Sequence, residues 1–110
     1  MSDCIFCQIA KKEIPAEIVF ETENVIAFND TKPVAPIHIL IIPKKHIASI
    51  VDLEEKDAKL ITEIIYSAKK IAESKNISKD GYKLLIRVGK NGGQEVDHLH
   101  LHLMGGAPLS

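Results

Sequence analysis

The sequence predicts an α+β fold: a mostly antiparallel five-stranded sheet with one long and one short helix, in a single domain spanning residues 1–110. Three observations predict it. Short apolar segments alternate with turn residues, one long segment has helical spacing, and residues 98–102 alternate strictly between histidine and leucine. A chain of 110 residues can bury one core without disulfides.

The first half of the chain is expected to contain a short helix and three strands. Residues 5–12 can form the helix, which Pro15 bounds. Residues 17–21 and 25–28 are strand-like and flank a turn. Residues 38–42 are almost entirely apolar, which predicts a central strand covered on both faces.

The second half is expected to contain the long helix and two further strands. Asp52 is a candidate N-cap with Glu55 three residues on, and the helix should end near residues 75–76. Its apolar residues recur at intervals of three and four: Ile61, Ile64, Ile65, Ala68, Ile71 and Ala72. Strands are predicted at 82–88 and 96–104, on either side of a glycine-rich loop.

Composition restricts the partners and the compartment. The net charge is −1 and both signs are interspersed, which argues against a nucleic acid or an anionic membrane surface as partner. No segment approaches the ~20 apolar residues of a membrane span. Residues 1–4 lack the pattern of a signal peptide, so a cytoplasmic location is expected. Two cysteines in a reducing compartment favour a metal or redox pair over a disulfide.

The histidine run is the strongest functional signal. On a strand, His98, His100 and His102 share one face, and the leucines between them face the core. Residues two apart are separated by ~6.6 Å, so the three imidazoles cannot all contact one phosphorus atom. We assign His100 as a nucleophile whose second ring nitrogen is held by a backbone carbonyl, and His102 as a donor to phosphate. The alternative is a row of solvated histidines on an edge strand.

A glycine-rich loop precedes these histidines. Gly89, Gly92 and Gly93 let backbone N–H groups approach an anion, and Gln94 adds an amide donor. The alternative is an ordinary hairpin connection.

Residues 92–106, together with 27–30 and 35–47, resemble the Hint-like branch of the histidine triad (HIT) family over nearly the whole chain. The resemblance implies a homodimer whose sheets join across the two-fold axis. It also implies hydrolysis of purine nucleoside phosphoramidates, of the AMP-NH2 or AMP-lysine type, through a nucleotidyl-histidine intermediate and without a catalytic metal.

The same resemblance implies roles for individual residues. His100 is the nucleophile, with His102 and Gln94 as further catalytic residues, and Asp30 holds the ribose hydroxyls. The other implied nucleotide-binding residues are Phe6, Phe28, Asn29, Thr31, Gly93 and Val96. As alternatives, the two phenylalanines are plain core and Asp30 is only a turn former. His38 is expected to be a buried, hydrogen-bonded histidine, a supporting partner of His100 and not a ligand.

Two positions depart from the family pattern. Related sequences often carry asparagine near the position of Arg87 and serine at that of Glu95. A charged Glu95 would repel phosphate unless a raised pKa let it act as a general acid, and Arg87 would offset that charge.

The cysteines suggest a metal site. Cys4 and Cys7 lie one helical turn apart, which suits half of a tetrahedral zinc site. His46 and His98 are the candidates for the other two ligands, and this set resembles the zinc site of many microbial HIT proteins. Four protein ligands would make the zinc structural. Two buried free cysteines without metal are the alternative.

These observations leave three functions. The leading hypothesis is a purine nucleoside phosphoramidase. A dinucleoside polyphosphate hydrolase and a nucleotide-binding regulatory module with little activity are the alternatives.

Overall fold

The computed structural model describes residues 3–109, and its secondary structure confirms the predicted fold class. Its helices are α1 (Ile5–Ala10) and α2 (Ala58–Ser74). The strands are β1 (Ile18–Glu21), β2 (Val25–Asn29), β3 (Ile37–Pro43), β4 (Tyr82–Leu85) and β5 (Leu101–Gly105). They form one sheet in the order β1-β2-β3-β5-β4, and every neighbouring pair is antiparallel. Residues 1 and 2, part of the segment used to assess a signal peptide, lie outside the described residues.

The sheet separates two apolar layers. One layer packs beneath α2 and contains alternate residues of β2, β3 and β5 together with the two leucines of the histidine run: Val25, Ala27, Ile39, Ile41, Leu99, Leu101 and Leu103. The other layer packs beneath α1: Phe6, Ile9, Ile26, Phe28, Leu40 and Ile42. Because successive strand residues point to opposite faces, the histidines of the run lie on the α1 side. Within the described residues, no helix is long and apolar enough to span a membrane.

The start of the long helix differs from the prediction. Asp52 lies in a 3-10 turn, and the chain is extended at Leu53 and Glu54 before a second such turn. A capping box forms instead between Glu54 and Asp57: the Asp57 carboxylate accepts the backbone N–H of Glu54 at 3.0 Å and also pairs with Lys45 at 2.8 Å. The spacing of Asp52 and Glu55 is repeated two residues later by Glu54 and Asp57, and this second pair also has a basic partner in Lys45.

The last strand is shorter than predicted. Residues 96–100 form no sheet ladder, because β3 ends at Pro43, which has no backbone N–H to donate. The Pro43 carbonyl instead accepts a hydrogen bond from Nε2 of His98 at 2.8 Å. Leu99 stays aligned through one backbone bond to Ile47 at 2.7 Å, so the alternation of faces persists without a strand. Strand β4 likewise ends at Leu85, three residues earlier than predicted.

Candidate active site

A cavity of about 540 Å³ opens on the α1 side of the sheet. Its wall brings together nine residues that the sequence assigned to nucleotide binding: Phe6, Phe28, Asn29, Asp30, Thr31, Gly93, Val96, His100 and His102. These residues come from α1, β2, β5 and the loops beside them, so the fold gathers segments that are far apart in the chain.

His100 is buried at the floor of this cavity with one ring nitrogen committed. Its Nδ1 lies 2.7 Å from the carbonyl oxygen of His98, and a carbonyl can only accept, so Nδ1 carries the proton. The lone pair therefore lies on Nε2. The ring packs edge-on against Phe6, with centroids 5.1 Å apart. A neutral imidazole with a fixed tautomer and a free Nε2 can act as a nucleophile without first losing a proton.

His102 belongs to a chain of two hydrogen bonds with one polarity. The backbone N–H of Val34 donates to Nδ1 of His38 at 3.1 Å, so a neutral His38 carries its proton on Nε2. That nitrogen lies 3.0 Å from Nδ1 of His102, which must accept. His102 therefore carries its proton on Nε2. This atom is buried and has no protein hydrogen-bond partner. A buried donor without a protein partner, in the wall of a cavity, suits an anionic ligand.

The protonation state of His102 agrees with this polarity. Burial is the main cause that lowers the pKa of His102 to about 4, and the neighbouring His100 and His38 lower it further. The carboxylate of Asp30 opposes the shift, and Arg87 adds slightly to it. His102 is therefore neutral at physiological pH and acts as an N–H donor.

This pKa predicts an acid-dependent loss of stability. The unfolded chain takes up a proton on residue 102 near the ordinary histidine pKa, whereas the folded chain does so only near pH 4. The unfolded state binds more protons between these values, so the free energy of unfolding falls as pH falls from 6.5 to 4. For the partly exposed His102, we expect a contribution of about 1 kcal/mol between pH 7 and 5.

The measurement is urea unfolding of the parent and of His102→Gln at both pH values. The variant should lose less stability on acidification than the parent. Because both proteins retain the other histidines, equal losses would contradict the assignment.

Asp30 and the two phenylalanines form the end of the cavity beside β2. One oxygen of Asp30 accepts the backbone N–H of Lys32 at 2.8 Å, and the other lies 3.4 Å from Nε2 of His38. The carboxylate is thus both a turn former and a polar group of the cavity wall. Phe6 and Phe28 pack edge-to-face at 5.4 Å and are both core and cavity wall.

Gln94 has a different environment from the one predicted. Its amide nitrogen donates to the carbonyls of Ala48 at 2.7 Å and Val96 at 2.9 Å, and its oxygen accepts from Gly89 at 3.0 Å. Both amide hydrogens are therefore used on backbone, and the residue does not line the cavity. These contacts give Gln94 a role in ordering the loop, and they do not support its assignment as a catalytic donor.

The four predicted metal ligands converge behind the cavity. Nδ1 of His98 lies 3.3 Å from the sulfur of Cys4, 3.5 Å from that of Cys7 and 3.2 Å from Nδ1 of His46. The sulfur of Cys7 lies 3.2 Å from the same His46 nitrogen. Around a tetrahedral zinc ion, nitrogen and sulfur ligands lie roughly 3.3–3.8 Å apart. The donor atoms thus have the spacing that such an ion requires.

The tautomer of His98 also fits a metal ligand. Its Nε2 donates to the Pro43 carbonyl, which leaves the lone pair on Nδ1, toward the cysteines. Burial lowers the pKa of His98, which favours the neutral form that binds a metal. The residues present therefore fit a structural zinc ion with two cysteine and two histidine ligands.

Sequence reasoning missed one partnership and undervalued one residue. We expected His38 to support His100, whereas its ring bonds to His102. In the β3–β5 register Leu40 pairs with His102, and His38, two residues before Leu40, lies diagonally across from His102 on the same face. The spacing of residues in the sequence does not predict this register. Arg87 lines the cavity, although the sequence indicated only its charge.

Comparisons with known proteins agree with this geometry. Residues 3–108 match a family model described as "Scavenger mRNA decapping enzyme C-term binding". The purine nucleoside phosphoramidase of Escherichia coli (strain K12) is 44% identical over 107 residues, 97% of this chain and 90% of the relative. A HIT family hydrolase from Legionella pneumophila superposes with a TM-score of 0.96 at 51% identity, covering 98% of this chain and 96% of its own. A histidine triad protein from Clostridium difficile gives a TM-score of 0.97 at 44% identity, covering 100% and 96%.

Proposed function

Because the chain is a nucleotide hydrolase that belongs to the histidine triad (HIT) family, we propose that it cleaves purine nucleoside phosphoramidates through a nucleotidyl intermediate on His100. The observation that carries the proposal is a pair of neighbouring imidazoles with complementary tautomers. His100 presents a lone pair, and His102 presents an unpartnered N–H, with ring centroids 5.0 Å apart. A phosphoryl group between them would meet a nucleophile and a donor together.

The proposed reaction has two displacements. The lone pair on Nε2 of His100 attacks the α-phosphorus, the P–N bond breaks, and the amine leaves with a proton taken up from its surroundings. The carbonyl of His98 accepts Nδ1–H and stabilises the positive charge that the ring acquires. His102 donates to a non-bridging oxygen. Water then attacks the phosphorus and loses one proton to solvent, the bond from phosphorus to Nε2 breaks, the nucleoside monophosphate is released, and His100 returns to its starting form.

Substrate orientation follows from the two ends of the cavity. The apolar faces of Phe6 and Phe28 suit a base, and the second oxygen of Asp30 suits ribose hydroxyls. Asn29 and Thr31 flank that carboxylate, and Gly93 and Val96 lie on the phosphate side. The purine preference is proposed because the Escherichia coli relative is a purine nucleoside phosphoramidase.

Two further features complete the proposal. Zinc held by Cys4, Cys7, His46 and His98 would have a structural role, and we propose no catalytic metal. A homodimer would join sheets at the exposed edge strand β4 and cover apolar side chains of α2 and β4: Ile65, Tyr66 and Leu84. A mass of 12.2 kDa in sedimentation equilibrium, that of one chain, would refute the dimer. A cytoplasmic location remains a prediction of the sequence.

A substrate panel tests the proposed function. If the chain is a phosphoramidase, adenosine 5′-phosphoramidate should be turned over faster than a dinucleoside tetraphosphate. The two substrates differ in the leaving group, which is an amine that must take up a proton in the first and a phosphate in the second. Rapid quenching should trap an adenylyl adduct on the peptide that contains His100. Faster cleavage of the tetraphosphate would favour the polyphosphate hydrolase instead. Tight AMP binding without turnover of any substrate would favour the regulatory module.

A further inference from the structure

The guanidinium of Arg87 lies in the cavity wall without an acidic partner. Its Nη1 donates one long hydrogen bond, 3.3 Å, to the carbonyl of Gly92. In the described part of the chain, no carboxylate forms an ion pair with Arg87, including that of Glu95 in the same wall. Most of the five guanidinium donors are therefore available to a ligand.

Arg87 faces the phosphate site. A β-carbon added to Gly93 would meet Nη1 of Arg87 at 3.3 Å, so the guanidinium packs over the glycine loop. The positive charge also contributes to the lowered pKa of His102. Loop, guanidinium and His102 thus share one end of the cavity.

The sheet order places this end opposite the nucleoside. The residues proposed for base and ribose belong to α1 and to β2 with the loop after it. The order β2-β3-β5-β4 puts the phosphate-binding histidine on β5, and Arg87 follows β4. Strands are spaced ~4.8 Å apart, so Arg87 lies well beyond the ribose. A nucleotide bound with its phosphate at His102 would direct its leaving group toward this wall.

We infer that Arg87 determines specificity by binding an anionic group on the leaving group, so that this chain prefers phosphoramidates whose amine carries a negative charge near the scissile bond. The inference rests on the proposed function and deepens it. A guanidinium matches a carboxylate or a phosphate through two parallel N–H bonds. The carboxylate of an amino acid joined through its nitrogen to the α-phosphorus lies within reach of such a fork. Glu95 opposes any such anion and so limits the preference.

The test compares matched leaving groups. One substrate is adenosine 5′-phosphate joined to the nitrogen of glycine, with a free carboxylate. The second is the glycinamide analogue, which is neutral. A third, adenosine 5′-tetraphosphate, provides phosphate as the anion. For each protein, the measured quantity is the ratio of kcat/KM for the anionic substrates to kcat/KM for the neutral one.

We expect Arg87→Gln to lower the ratio for the glycine substrate about tenfold, which corresponds to about 1.4 kcal/mol, since the variant loses a charge-assisted hydrogen bond to the carboxylate. Arg87→Lys should give an intermediate ratio, because it keeps the charge but not the fork. Glu95→Gln should raise the ratio, since it removes a like charge. Lys90→Gln is the matched control: it removes one positive charge from the same loop, outside the cavity, and should leave the ratio within about twofold.

The outcomes separate this inference from the proposed function. If the parent chain cleaves neither the glycine nor the glycinamide substrate, the proposed function fails. If it cleaves them, and neither Arg87→Gln nor Arg87→Lys changes the ratio, the role of Arg87 is refuted. A drop confined to the glycine substrate identifies a carboxylate as the ligand, and a drop confined to the tetraphosphate identifies a phosphate.

Discussion

Replacing His100 with alanine should lower kcat for adenosine 5′-phosphoramidate at least about a thousandfold. The loss follows from the tautomer: Nδ1 is held by a carbonyl, so the nucleophile is a lone pair that no neighbouring group provides. His102 has its proton on Nε2 and its lone pair engaged by His38, so it cannot substitute. Steady-state kinetics and mass analysis of quenched reactions measure the rate and the adduct.

Two controls distinguish chemistry from folding. His100→Ala should bind AMP and keep a cooperative unfolding transition. His102→Gln should lower kcat only about a hundredfold, the effect of losing one hydrogen-bond donor to the phosphoryl group, and should still form the adduct. If the adduct forms on the His100→Ala chain, the nucleophile is another residue.

Loss of the cysteine ligands should cost the protein its metal and much of its stability. The parent, purified without chelators, is expected to contain about one zinc ion per chain, and Cys4→Ser/Cys7→Ser none. At ion concentrations a hundred- to a thousandfold above Kd, the bound form gains about 3–4 kcal/mol in the free energy of unfolding. The unfolding midpoint of the double variant should therefore lie well below that of the parent.

A chelator provides the matched comparison. It should lower the unfolding midpoint of the parent toward that of Cys4→Ser/Cys7→Ser and leave the double variant unchanged, because the variant has no site to empty. Parent protein without zinc, whose stability does not respond to added zinc, would instead indicate that Cys4 and Cys7 do not bind a metal.

Much of the fold could be predicted because local patterns and packing agree. The alternation of imidazole and leucine through residues 98–102 fixed which side chains enter the core, even where no strand forms. The helical stripe identified the buried face of α2, with Ile64, Ala68 and Ile71 facing the sheet. Element boundaries were harder to predict. Two acidic pairs with the same spacing, Asp52–Glu55 and Glu54–Asp57, precede α2, and the second forms the capping box and contacts Lys45, which is distant in the chain.

The sequence indicated most of the residues that the structure brings together, but it did not indicate their hydrogen bonds. Cys4, Cys7, His46 and His98 could be grouped by residue type, and the structure brings them together. The polarity of the histidine chain depends on a backbone N–H at Val34 that no motif indicates. The hydrogen bond from Gln94 to the backbone carbonyl of Ala48 likewise depends on how the loop folds, which the sequence does not indicate.

The backbone amide that begins the histidine chain has a consequence for proton supply. The N–H of Val34 does not ionise at physiological pH, so His38 cannot regain a proton from behind once it has given one to His102. Protonating a leaving amine through His102 would therefore create an imidazolate, which is energetically prohibitive. The hydrogen bonds from Val34 through His38 to His102 therefore keep one direction, and these groups cannot supply a proton to the leaving amine. The proton that the leaving amine takes up must therefore come from the solvent side of the cavity. A solvent isotope effect on the rate of the first displacement would detect this proton transfer.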